Sequence, residues 1–266
     1  MPHEHSPVLF VGAGPGDPEL ITIKGRNALA HADLVIYAGS LVPEAVLAWT
    51  PSTARRLNSA GMTLEQVIAE IEGAWLEGQH VVRLHTGDPS LYGAIFEQMA
   101  ELNRQSIPYR VIPGVTAAFA AAAAMGIEYT LPEISQTLII TRMEGRTPVP
   151  EKEDLSSLAS HQATMAIYLS VGMIEKVVDV LQEAYGPSAP CAVVYRASQP
   201  EETIVWTTLD HMAEAVHEAD IRRQAVIIVG RVLDVSLENL RHKSRLYDAG
   251  FSHGFRSGDK KTGPEG

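Results

Sequence analysis

His85-Thr86-Gly87-Asp88-Pro89-Ser90-Leu91-Tyr92-Gly93 follows the apolar run Val81-Val82-Arg83-Leu84 and precedes Ala94-Ile95-Phe96-Glu97-Gln98-Met99-Ala100-Glu101-Leu102. The first flank has the length and composition of a buried strand, and the second has the apolar spacing of a helix. A tight turn with two glycines, a carboxylate and a proline therefore stands at the carboxyl end of a strand. Open α/β sheets hold small ligands at that place. Glycine lets a ligand or another backbone approach closely. A plain connecting turn could use the same residues, so the rest of the chain has to decide.

Working outward, strand-like runs alternate with helix-like segments. Val8–Val11, Leu34–Tyr37, Val81–Leu84 and Tyr109–Ile112 come first, with a helix beginning near Thr22. Pro113-Gly114-Val115-Thr116-Ala117 then turns into an alanine-rich helix. Thr137–Thr141, Met165–Leu169, Ala192–Tyr195, Thr203–Trp206 and Ala225–Val229 are also strand-like. Only a short polar turn, Ser198–Glu202, separates the third and fourth of these, which predicts a hairpin. The pattern predicts two consecutive α/β units with a cleft between them: a largely parallel first sheet in 8–114 and a mixed second sheet in 115–240. A tail, 241–266, follows, and its polar, glycine-rich end from Ser252 is expected to be mobile.

Bulk properties narrow the classes. The 266 residues are 45% apolar and 20% charged, ordinary for a globular chain with a sizeable core. The formal net charge of −11 argues against a general nucleic-acid binder, which needs clustered Lys and Arg. The pair Lys260-Lys261 reads as a solvated tail. No apolar run has the length of a bilayer span, and no secretory signal is legible, so neither a membrane nor export is expected. The single Cys191, in an apolar run, reads as a buried thiol and fits a reducing cytoplasm. The ten histidines show no paired ligand spacing, so no metal site is expected.

Gly12-Ala13-Gly14-Pro15-Gly16-Asp17-Pro18, after the first strand, is a poor dinucleotide fingerprint. Asp17 stands where the third glycine belongs, and two prolines remove amides that a pyrophosphate would use. A loop that shapes a cleft wall is the better reading. Ser40, in Tyr37-Ala38-Gly39-Ser40-Leu41, does not sit in a nucleophile elbow.

Four segments in this order resemble the tetrapyrrole methylase family, the class III fold of S-adenosylmethionine-dependent methyltransferases: Val11–Ile21, Gly87–Gly93, Val111–Ala117 and Ala225–Gly230. The resemblance runs from Val8 to Leu233. It implies S-adenosylmethionine as co-substrate, held by Pro15, Thr86, Gly87, Asp88, Leu91, Thr116 and Ala117. Leu169 and Ala197 fall at two further family positions, where relatives often carry Met and Gly. Tyr37–Leu41 and Leu246–His253 resemble the branch that methylates C-11 of precorrin-4 or its cobalt form in cobalamin synthesis. The resemblance also implies a tetrapyrrole substrate and a homodimer. It implies no catalytic base, because the reduced macrocycle supplies its own carbon nucleophile. A polycarboxylate substrate on an acidic chain calls for a local basic mouth. Arg142, Arg146, Arg196 and His85 are its candidates. The competing readings are a methylase of the same fold acting on precorrin-2, precorrin-3, uroporphyrinogen III, a diphthamide precursor or ribosomal RNA, and a ligand-binding module without catalysis.

Overall fold

In the computed structural model, residues 6–236, 238, 244 and 247–257 are described. Lys260-Lys261, Leu246 and most of the predicted tail lie outside them. The chain divides into two compact units. One is the chain through Ala124 together with Arg196–Thr203; the other is Met125–Tyr195 and the chain from Ile204.

The first unit alternates strand and helix: β1 (Val8–Gly12), α1 (Ile23–Ala30), β2 (Leu34–Tyr37), α2 (Glu44–Leu47), β3 (Arg55–Asn58), α3 (Leu64–Leu76), β4 (Val81–His85), α4 (Ile95–Arg104), β5 (Tyr109–Ile112) and α5 (Ala117–Met125). Its sheet runs β3-β2-β4-β1-β5, and neighbouring strands pair in parallel. Both faces of the central strands are covered, so β1 and β2 read as continuous apolar runs rather than alternations. Val8, Phe10, Leu34, Ile36 and Val81 pack with Ile71 and Leu102 on one face, while Val11, Val35, Val82 and Leu84 pack with Leu29 on the other. Thr22 caps α1 by accepting from the Gly25 amide (3.1 Å), and Thr63 with Gln66 forms a capping box on α3. β4 and β1 lie side by side at the centre, and their outgoing connections lead to opposite sides, to β5 and β2. Such a reversal marks the carboxyl rim of these strands as the place for a ligand.

The second unit contains β6 (Leu138–Arg142), α6 (Leu155–Ala159), β7 (Thr164–Tyr168), α7 (Ile174–Tyr185), β8 (Pro190–Tyr195), β9 (Thr203–Thr208), α8 (Met212–Glu218) and β10 (Ala225–Val229). The sheet order is β6-β7-β10-β8-β9. β6 and β7 are parallel, and β10 is antiparallel to both β7 and β8. The mixed second sheet is therefore as the sequence suggests, and β8 and β9 are neighbours. The core gathers Met165, Ile167, Val193, Ile227 and Val229 against Val177 and Leu181 of α7 and Val216 of α8. Cys191 is fully buried there, and burial raises its thiol pKa to about 12.

By its contacts the chain divides between Ala124 and Met125, within α5 and inside the Pro113–Glu133 stretch where the sequence places the join. The segment Arg196–Thr203, which contains the expected turn Ser198–Glu202, belongs by its contacts to the first unit.

Candidate active site

Three loops converge at the carboxyl rim of the first sheet. The loop after β1 and the loop after β4 pair as a short antiparallel bridge. Gly14 N–H donates to Gly87 O (3.2 Å), Gly87 N–H donates to Gly14 O (2.8 Å), and Ala13 N–H donates to His85 O (2.7 Å). Gly14 and Gly87 have φ of 78° and 60°, in the left-handed region that L side chains rarely enter. The loop after β5 closes over them. A Cβ on Gly114 would stand 2.1 Å from Gly87 O and 2.9 Å from Gly12 Cα. Only hydrogen fits there.

Asp88 locks this junction. One carboxylate oxygen accepts from the Gly114 amide (2.8 Å); the other accepts from the Ser90 amide (2.8 Å) and hydroxyl (2.5 Å). Burial by itself would raise the carboxyl pKa, but these three hydrogen bonds outweigh it and hold the group below the ordinary carboxylate value. Both oxygens are thus engaged within the protein. Thr116, 9% exposed, offers its carbonyl to the first amides of α5, Phe119 (3.1 Å) and Ala120 (3.3 Å). Its Cα would lie 3.6 Å from a Cβ on Gly87. Ala117 opens α5, and Leu91 closes the turn by donating its amide to Asp88 O (3.2 Å).

The segment Arg196–Thr203 supplies the fourth wall. Gln199 Nε2 donates to Pro15 O (3.1 Å), and Asp17 N–H donates to Ser198 Oγ (3.1 Å). Ala197 is 5% exposed, between Arg196 and Ser198 at φ of 45° and 70°. Pro15, Thr86, Gly87, Asp88, Leu91, Thr116, Ala117 and Ala197 therefore share one unit, and the first seven lie on its rim loops. Gln199 and Ser198 escaped the sequence reading. Their polar, proline-containing run looks like any hairpin turn.

Leu169 belongs to the second unit, just past β7. It has φ of 55° and is 68% exposed, an uncommon conformation for a leucine. Ser170 stitches the neighbouring ends, accepting from Met143 N–H (2.8 Å) and donating to Tyr168 O (2.7 Å).

The basic-mouth candidates behave differently from one another. His85 does not reach a surface. It is 4% exposed, stacks on Phe10 with ring centroids 5.9 Å apart, and its Nε2 is buried without a partner. Burial, aided by the charge of Arg83, lowers its pKa to about 3, so the ring is neutral and cannot pair with a carboxylate. Strand alternation is the reason: residues 81, 83 and 85 share a face, and Val81 is in the core. Arg142 is occupied in bracing its own loop, donating to Thr147 O (3.1 Å) and Pro148 O (2.8 Å). Arg196 pairs with Glu201 (3.3 Å). Arg146 is exposed.

The buried imidazole has a measurable consequence. An unfolded histidine protonates near 6.5, whereas this one resists until about pH 3. Between those values the unfolded state binds the extra proton. Stability is therefore full above about 6.5 and falls as pH drops, by about 1.4 kcal/mol per unit for this one group. Denaturant titrations across that window should show the slope, and His85→Phe should flatten it. An unchanged slope in the variant would contradict the assignment.

Among the described residues no group of three His, Cys, Asp or Glu side chains is arranged to hold a metal ion, and no helix is long and apolar enough to cross a membrane. The family model for tetrapyrrole (corrin/porphyrin) methylases matches residues 7–213. The chain belongs to that family. It is 53% identical over 255 residues to a cobalt-precorrin-4 C(11)-methyltransferase of Methanocaldococcus jannaschii, covering 96% of this chain and 97% of that one. A solved cobalt precorrin-4 methyltransferase, a cobalamin biosynthetic enzyme, superposes with a TM-score of 0.85 at 46% identity, covering 87% of this chain and 97% of the other. A uroporphyrin-III C-methyl transferase from Thermus thermophilus, solved with S-adenosylhomocysteine, gives a TM-score of 0.71 at 31% identity and covers 85% and 93%. As a tetrapyrrole methylase the chain keeps the landmark loops at the rim of its first sheet, where the glycine junction stands.

Proposed function

We propose that this protein transfers a methyl group from S-adenosylmethionine to C-11 of precorrin-4, or of its cobalt complex, during corrin-ring synthesis. The observation that carries the reading is the glycine junction locked by Asp88. It is a rigid cradle of backbone with no basic side chain among Pro15, Thr86, Gly87, Asp88, Leu91, Thr116, Ala117 and Ala197. A cradle without cations suits a sulfonium and does not suit a phosphate. Those residues would hold the co-substrate, whose chemistry is an activated methyl on a positively charged sulfur. The chain's contribution is positioning. Holding two reactants in line contributes about 7–11 kcal/mol toward the barrier without an acid, base or nucleophilic side chain. Arg146 is the remaining exposed candidate for a substrate carboxylate.

Incubating the protein with S-adenosylmethionine and a panel of precorrin-4, cobalt-precorrin-4 and uroporphyrinogen III, followed by mass and NMR analysis, tests the reading. One added methyl at C-11 of a precorrin-4 form is expected. Methylation of uroporphyrinogen III alone would assign the chain to another branch of the family.

The working form in this proposal is a cytoplasmic homodimer, since a two-fold pair is the commonest closed assembly. Edge strand β9 exposes Trp206 (48%), a candidate contact. Sedimentation velocity at micromolar concentration should give twice the chain mass. A monomer would remove the dimer from the proposal.

A further inference from the structure

Arg83 is buried in the first unit, 7% exposed, in the middle of β4. Its Nε donates to Gln98 Oε1 (3.0 Å) and its Nη1 donates to Ile36 O (3.1 Å). Both acceptors are neutral. Arg83 makes no ion pair among the described residues. Burial lowers its pKa only to about 10, so the charge persists at neutral pH. A buried cation without a counter-ion is costly unless something compensates it.

The guanidinium lines a cavity of about 230 Å³ together with Ser59, Thr63, Ala94, Glu97 and Gln98. Among the described residues Nη2 has no hydrogen-bond partner, and the side chain borders this cavity. Gln98 is fixed in turn, its Nε2 donating to Ala94 O (3.0 Å), so the arginine is held in one orientation. The hydroxyls on the rim are committed elsewhere: Ser59 donates to Tyr37 O (3.0 Å), and Thr63 Oγ accepts from the Gln66 amide (3.3 Å). Arg83 is therefore the buried cation of a cavity whose exposed rim carries the Glu97 carboxylate. At 230 Å³ the space is below the roughly 300–1,000 Å³ of a site for a whole drug-sized molecule. It suits one short anionic arm. Ala94 directly follows Gly93, which is packed against the Pro89 carbonyl, so the cavity shares its wall with the Gly87–Gly93 turn.

We propose that Arg83 and this cavity form a carboxylate subsite that receives one peripheral carboxylate arm of the tetrapyrrole and so fixes which ring carbon faces the methyl donor. The proposal rests on the methyltransferase reading above.

The test uses the full-length protein and the tetrapyrrole that the wild type methylates. Arg83→Met should raise KM for that tetrapyrrole about tenfold or more, since a charge-assisted hydrogen bond is lost. The Kd for S-adenosylhomocysteine should stay within about twofold of wild type by the same scale. Arg83→Met could instead unfold the protein, so a second pair decides independently. Ala94 is the N-cap of α4 with φ of 47°, a position and conformation that Asp and Asn both tolerate. Ala94→Asp puts a competing carboxylate at the cavity and should raise KM, whereas Ala94→Asn should restore it. Equal KM values for the Asp and Asn variants, or an unchanged KM in folded Arg83→Met, would overturn the subsite and leave the methyltransferase reading intact. A wild type that binds neither S-adenosylhomocysteine nor any tetrapyrrole would overturn both.

Discussion

Gly114→Ala is expected to be the most damaging conservative change in the first unit. Its new methyl would lie 2.1 Å from Gly87 O and 2.9 Å from Gly12 Cα. Both obstacles are backbone, so no side-chain rotation relieves the clash. The loop after β5 must lift away, and the Gly114 amide then leaves the Asp88 carboxylate. Overpacking of this kind costs about 3 kcal/mol or more. In a chain of this size that lowers Tm by roughly 6–12 °C. S-adenosylhomocysteine binding should fall below detection even at temperatures where the variant is folded, because the cradle's third loop has moved. Thermal melts and calorimetry measure the two effects separately. A variant with wild-type Tm and affinity would show that the junction is not as close as described.

Asp88→Ala should come second. It removes the acceptor for Gly114 N–H and for both donors of Ser90. Hydrogen bonds to a charged group contribute about 1.5–3 kcal/mol each, and the two amides can partly recover water. A net loss of about 2–3 kcal/mol is expected, with S-adenosylhomocysteine affinity down by at least roughly tenfold. Both oxygens are spent on the protein, so the binding loss is indirect. Asp88→Asn keeps one acceptor and should fall between wild type and alanine in both stability and affinity. If Asp88→Ala lost affinity with no loss of stability, the carboxylate would be touching the ligand itself.

The alternation of strand and helix was legible because buried parallel strands are dense in Val, Ile and Leu. β3 was not. Arg55-Arg56-Leu57-Asn58 is an edge strand, mostly exposed, and carries charge where a central strand would carry aliphatic residues. Charged edges of that kind discourage pairing with other chains, and they also hide the strand from hydropathy. At Leu169 the apolar run continues one residue past the strand, since composition does not reveal that φ has turned positive. The site shows the same division. The glycine turns were visible as turns. That Gly12, Gly87 and Gly114 meet one another depends on which strands are neighbours, and no local pattern carries that information. The place of His85 beside the turn suggests a mouth residue, although its parity with Val81 points inward. Arg83 shares that parity, which is why a charged residue ended up in the core face of a parallel strand.

The segment that clamps Pro15 through Gln199 lies 184 residues further along the chain. A ribosome has delivered all five strands of the first sheet once Ile112 emerges, yet Gln199, which holds Pro15, does not exist until β8 has been made. The nascent sheet can collapse early and bridge Gly14 to Gly87, but its first loop lacks the Ser198 and Gln199 contacts until much later in synthesis. A fragment ending at Ala124 should therefore resemble the unit in secondary structure without offering a finished cradle. Competence to bind the methyl donor would arrive late, once the chain has passed Gln199.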